Sequence, residues 1–211
     1  MGEVIVQEWI EGPNDSIYFC LCYLSPGASV AFTGRKGRSW PPQVGLTASC
    51  WAALKVAEEL EDLTIRFFRS IGLTNGFASM EYKRDQRDGG FRFVEPTVGR
   101  IDGQVEISAL CGINLCHVGY CDAAGQPRPP LKLDSTHVWR DEFKDFISAR
   151  ILGTGWFYPP SHRIHNAYWR WDDPGPGLVE SAKDAVRRVI GYFSRTQTIS
   201  ASRTWFAGVK G

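Results

Sequence analysis

The sequence lacks most of the features that assign a protein at sight. Its 24 basic and 23 acidic side chains leave a formal net charge of +1. No global field therefore draws the chain to nucleic acid, a membrane surface or a polyanion, and any anion site has to be local. No apolar run approaches the roughly 20 residues that span a bilayer. The cysteines Cys20, Cys22, Cys50, Cys111, Cys116 and Cys121 form no CxxC pair, which argues against a structural zinc site. There is no G-x-S-x-G nucleophile elbow, no G-x-x-x-x-G-K-[ST] phosphate loop, no internal repeat and no low-complexity tract. No secretory signal precedes the strand-like VIVQEWI, so the reading is a soluble cytoplasmic protein with buried, reduced thiols.

What is present is an ordinary globular composition, 211 residues of which 43% are hydrophobic, enough for one core with an extension. Runs at Val4 to Ile10, Ile17 to Leu24 and Ser29 to Thr33 are divided by the turn-forming groups GPND and SPG and read as an antiparallel meander. The segment GRKGRSWPPQVG reads as a loop. From about Trp51 to Ile71 apolar residues recur at helical intervals, and Gly72 supplies a stop. Strands at Gly76 to Lys83 and Phe91 to Glu95, joined by RDQRDGG, form a hairpin. A short helix is expected at about Gln104 to Leu110, and an amphipathic one at about Leu178 to Phe193. The proline-rich AAGQPRPP marks a change of texture. The expected organisation is residues 1–122 as one subdomain and 123–211 as an aromatic-rich extension packed on it. The expected fold class is α+β, an antiparallel sheet with packed helices.

The chemistry-bearing residues begin with Glu81 and Glu95, one on each hairpin strand. Strand alternation places Ser79, Glu81 and Lys83 on one face and Phe93, Glu95 and Thr97 on the corresponding face of the partner, so both acids look into one cleft. A magnesium ion is commonly held by one or two such carboxylates together with substrate phosphates. Spacing alone favours a plainer reading, solvated carboxylates paired with Lys83, Arg84 or Arg92. Against it, Glu95 departs from the apolar run FRFV just before Pro96. Arg35, Lys36 and Arg38, set between glycines, have the chemistry of a phosphate contact or, equally, of a solvated basic loop. His162 and His165 have no carboxylate or cysteine companions in sequence and read as surface or interfacial residues.

The pieces VQEWIEGPND, GRKGRSWPPQVG, GFASMEYKRDQRDGG, FVEPTVGR and ALCGINL, with the helix among them, resemble the C-terminal half of an ATP-grasp domain from Val4 to about Asp122. The nearest likeness is to D-aspartate ligase-like and polysaccharide-biosynthesis-associated carboxylate-amine ligases. The resemblance implies ATP and magnesium as cofactors and small carboxylate and amine molecules as substrates, with no nucleic-acid or membrane partner. It implies that the backbone of Glu8, Trp9 and Ile10 meets the adenine, that Asn14 or Asp15 binds the ribose, and that Lys36 and Arg38 contact phosphate. Glu81 and Glu95 would be the metal-binding acids, with Thr97 in place of the usual asparagine of an E-x-N-P-R pattern. Arg100, beside Lys36 in a catalytic role, would hold a substrate carboxylate or acyl-phosphate oxygen. Because the other half of such a domain is expected ahead of Val4, the chain reads as the C-terminal portion of a ligase. The alternatives are a binding or assembly module completing its site with another chain, and a silent relative in which Thr97 marks loss of metal binding.

Overall fold

A computed structural model describes residues 6–42, 44–155 and 158–186. The chain divides after Asn166 into two compact units. The first is built on a seven-stranded sheet in the order β5-β4-β1-β2-β3-β6-β7. Its strands are β1 (Ile17–Leu24), β2 (Val30–Trp40), β3 (Leu46–Ala52), β4 (Gly76–Arg84), β5 (Phe91–Val98), β6 (His137–Arg140) and β7 (Arg163–Asn166). Every adjacent pair is antiparallel except β6 and β7, which run parallel. The helices are α1 (Ala57–Ser70), α2 (Glu106–Leu110), α3 (Leu115–Ala123) and α4 (Glu142–Leu152). This is the expected α+β class. The sheet also runs on through β6 and β7, past residue 122.

The central strand β1 is apolar at every position, IYFCLCYL, and is buried throughout, as a strand covered on both faces must be. Its even-numbered side chains Tyr18, Cys20, Cys22 and Leu24 pack with Leu60 and Phe68 of α1 and with Met80 and Tyr82 of β4. Its odd-numbered side chains look the other way. There Tyr23 and Phe77 lie against Gly119 of α3, where a Cβ would come within 2.5 Å of the Phe77 ring, so only glycine lets the helix approach this closely. Helices thus cover both faces, but α2 and α3 cover only the Tyr23 end of the second. The Ile17 end is left for a cleft.

The strand β2 absorbs most of GRKGRSWPPQVG, which the sequence reading treats as a loop. The ladder pairs Lys36 with Cys50 and Arg38 with Ser49, so Gly37 is an inserted residue. The bulge reverses the alternation, and Lys36 and Arg38, two residues apart, point to opposite faces. The strand β3, the helix α3 and the group β6, α4 and β7 have no counterpart in the sequence reading. Of the expected strand at Val4 to Ile10, Val4 and Ile5 lie outside the described residues, and residues 6–13 pair in no ladder.

In the second unit, residues 175–186 are helical, and Val179, Ala182 and Val186 line one side. The rest of the amphipathic helix expected to reach Phe193 lies outside the described residues. No described helix is long and apolar enough to cross a membrane.

Candidate functional site

The cleft occupies the odd-numbered face at the Ile17 end of β1. It has a volume of about 530 Å³ and is lined by residues of β4 and β5 and by the segment Gln7, Glu8, Trp9 and Ile10. Glu81 of β4 and Glu95 of β5 are direct cross-strand partners, so their side chains share that face. Lys36, only 3% exposed on β2, reaches across β1 and donates to the Glu81 carboxylate. Among the described residues Glu95 makes no ion pair or hydrogen bond. Two anions therefore stand opposite each other with a cation on one of them.

The next pair along the same face is Lys83 with Arg92. The sequence alternation puts Phe93 with Glu95, and the structure corrects it. Val94 is an inserted residue, because Glu81 pairs with Glu95 while Tyr82 pairs with Phe93. Phe93 turns to the α1 face, where its ring stacks on Phe67 and Tyr82 at 5.4 and 5.3 Å, and Arg92 turns into the cleft.

The segment ahead of β1 is tied to the hairpin at several points. Gln7 Nε2 donates to the Val94 carbonyl at 3.3 Å, Glu8 pairs with Arg87 at 2.8 Å, and the Trp9 ring centre lies 4.5 Å from Lys83 Nζ. Gln86 N donates to the Glu11 carbonyl at 2.9 Å. Arg87 also grips Asp85 in the hairpin turn at 2.6 Å, and its hydrogen bonds hold that carboxyl down at about 2.

The remaining residues expected at the site are dispersed. Thr97, half-buried, pairs with Ser79 on the next rung of the same face beyond the two acids, with Met80–Pro96 between. Ser79 Oγ donates to Asp102 at 2.8 Å. Arg100 is exposed in the turn leaving β5 and does not line the cleft. Arg38 is drawn to the opposite face, where its guanidinium binds Asp145 of α4 at 2.9 Å and the Gly155 carbonyl at 2.6 Å. Asp15 accepts from Arg35 at 2.6 Å beside a separate pocket. Asn14 lies in the 3-10 turn before β1.

Two carboxylates facing each other, with the Thr97 hydroxyl on the next rung of the same face, are hard oxygen donors of the kind magnesium takes. Among the described residues no group of three or more His, Cys, Asp or Glu side chains could hold a metal ion. Such a cation would complete its shell from substrate oxygens and water, as magnesium commonly does.

No family model matches the chain, and no curated protein matches it. Solved structures similar to it include the phosphoribosylaminoimidazole carboxylase ATPase subunit from Aquifex aeolicus, at 13% identity and a TM-score of 0.46, over 56% of this chain and 37% of that one. An L-amino acid ligase from Bacillus licheniformis is similar at 19% identity and a TM-score of 0.43, over 56% and 31%. The biotin carboxylase domain of a Hydrogenobacter thermophilus 2-oxoglutarate carboxylase, in complex with MgADP, ADP and bicarbonate, is similar at 15% and 0.43, over 58% and 28%. The chain thus spans little more than a third of the first of these structures and less of the others.

Two charged residues of the cleft are absent from the candidate set drawn from the sequence. Lys83 shares the Glu81 face by plain alternation, a signal present in the sequence. Arg92 is hidden by the bulge at Val94. Of the histidines, His165 lies on β7, where its Nε2 is 2.9 Å from Nδ1 of the buried His137.

Proposed function

We propose that the cleft binds the polyphosphate of ATP through magnesium, and that the chain contributes this site to an ATP-dependent carboxylate-amine ligase. The observation that carries the reading is the in-register pairing of Glu81 with Glu95, with the buried Lys36 on Glu81 alone. Like charges directly opposite each other on neighbouring strands are destabilising, so the pair is an arrangement that folding alone does not favour. A divalent cation between them would relieve the repulsion. The ATP-grasp resemblance of EYKRDQRDGG and FVEPTVGR supports the choice of cation and substrate.

In this reading Glu81 and Glu95 hold the ion, and Thr97 is the next oxygen along β5. When bound, magnesium neutralises phosphate charge. Phosphoryl transfer depends chiefly on such positioning and neutralisation. Lys36 holds Glu81 in place from β2, and segment 7–10, tied to the hairpin through Glu8, Trp9 and Gln7, forms the side of the cleft proposed to meet the base. A substrate carboxylate oxygen attacks the γ-phosphorus and ADP leaves. The amine then attacks the acyl-phosphate carbonyl, and phosphate and a proton depart to leave the amide. Arg100, which the resemblance assigns to a substrate oxyanion, is proposed for that role although it lies in the turn leaving β5, outside the cleft lining.

The test is binding of Mn2+, as a magnesium probe, followed by electron paramagnetic resonance with and without ADP. The wild-type chain should bind the ion, and Glu95→Gln should weaken it by about tenfold or more, the factor that a loss of about 1.4 kcal/mol gives. Mn2+ binding that is absent, or indifferent to Glu95→Gln, would overturn the metal site.

A further inference from the structure

Lys83 stands apart from the other lysines described. It is 93% buried by residue area, at 7% exposure, and it lines the cleft. Among the described residues its ammonium makes no ion pair and no hydrogen bond. Its one polar contact is the face of the Trp9 ring, 4.5 Å from Nζ to the centroid. An ammonium carries three donors and no acceptor, and a cation-π contact satisfies none of the three. A cation so far withdrawn from water with its donors unused is costly unless an anion meets it.

The position directly across the ladder sharpens the point. Lys83 is paired in register with Arg92, a second cation, on the next rung of the same face after Glu81 and Glu95, with Tyr82–Phe93 between them turned to the other face. The cleft therefore carries an anionic rung and a cationic rung in succession on one face, each made of like charges facing one another. Arg92 spends part of its guanidinium on Asp88, which it meets in the hairpin turn, and lies 3.9 Å from Asp85. Lys83 has no such outlet. Since Lys36 is committed to Glu81, Lys83 is the cation of this face whose donors remain for a ligand.

We infer that Lys83, supported by Arg92, is an oxyanion-binding position that takes a phosphoryl or carboxylate group one rung along the same face from the acid pair. Trp9 orders the ammonium from above and couples segment 7–10 to whatever anion is bound. Two sources supply an oxyanion of this kind, the phosphates of a nucleotide and the carboxylate of an acid substrate. The inference leans on the proposed function only for which molecule carries the anion.

The experiment is calorimetric titration of the full chain with inorganic pyrophosphate in the absence of divalent metal, and separately with succinate. Pyrophosphate should bind to the wild type. Lys83→Met should weaken it by about tenfold or more, since it removes the charged donors that meet the anion. Lys83→Arg, which keeps the charge, should restore most of the loss, and a thermal melt confirms that each variant is folded. Binding of succinate with the same dependence on Lys83 assigns the position to a carboxylate, and binding of pyrophosphate alone assigns it to a phosphoryl group. If neither anion binds the wild type, or if Lys83→Met binds as the wild type does, the inference is overturned. Because no metal is present, loss of the Mn2+ site with pyrophosphate binding intact would defeat the proposed function and leave this position standing.

Discussion

Glu81 and Glu95 face each other across β4 and β5, and the Lys36 ammonium sits on Glu81 alone. The two acids should therefore respond differently to neutralisation. Glu81→Gln strips a buried lysine of its counter-charge and should cost about 1–3 kcal/mol. Glu95→Gln removes only a like-charge neighbour and should change stability by less than about 0.5 kcal/mol. Urea unfolding at neutral pH without metal measures both, and equal costs would contradict the asymmetry.

Arg38 separates the resemblance from the geometry. Its guanidinium neutralises Asp145, which is fully buried and also accepts from the Tyr158 hydroxyl. Arg38→Met should cost about 3–5 kcal/mol by leaving that carboxylate without its cation. Mn2+ binding in the cleft should be unchanged in whatever fraction stays folded. A stable variant with impaired Mn2+ binding would return Arg38 to the site.

Acid should loosen the hairpin turn. Hydrogen bonds from Arg87 lower the Asp85 carboxyl from its ordinary value of 3.8 to about 2 in the folded chain. A depressed folded value means that the unfolded chain binds the proton more readily. The contribution is therefore complete above pH 4 and fades as pH falls from about 4 to about 2. The difference in stability between the wild type and Asp85→Asn should shrink over that window in denaturant titrations. A difference constant from pH 6 to pH 2 would refute it.

Thiol chemistry should divide five to one. Cys116 is exposed and the other five cysteines are buried, with desolvation pushing Cys22 and Cys111 up to about 12. A disulfide exchange reagent at pH 8 should titrate one thiol in the native chain and six after denaturation. Rapid reaction of a second native thiol would show that one of the buried five is accessible.

The hairpin, β1 and α1 were legible because each carries its own period: an unbroken apolar run, strict alternation or a helical stripe ending at Gly72. The lengths of β2 and β3 were not. Gly34 and Gly37 depress strand propensity, and the apolar residues Trp51 and Ala52 at the end of β3 run straight into the pattern of α1. In the site, alternation within each strand anticipates the shared face of Glu81 and Glu95, but it is the bulge at Val94 that brings Glu95 opposite Glu81. The sequence order gave no sign that Val94 bulges out, which turns Phe93 to the α1 face and Arg92 to the cleft. Nor could it place Asp145, 107 residues from Arg38, as that residue's partner. Lys83 was visible as a neighbour of Glu81, but the lack of an acceptor for its ammonium is a property of the packed molecule.

The bulge at Gly37 acts as a sorter of charge. One extra backbone unit sends the cation before it towards the cleft and the cation after it into the layer beneath α4. If Gly37 instead took a regular rung of the ladder, strict alternation would turn Arg38 to the face of Lys36, doubling the positive charge facing the two acids, and Asp145 would lose the group that makes its burial tolerable. Deleting Gly37 would not do this, since two consecutive residues already point to opposite faces. The extra residue thus lets the spacing R-K-G-R partition a single run of basic residues between holding the fold and facing the cleft.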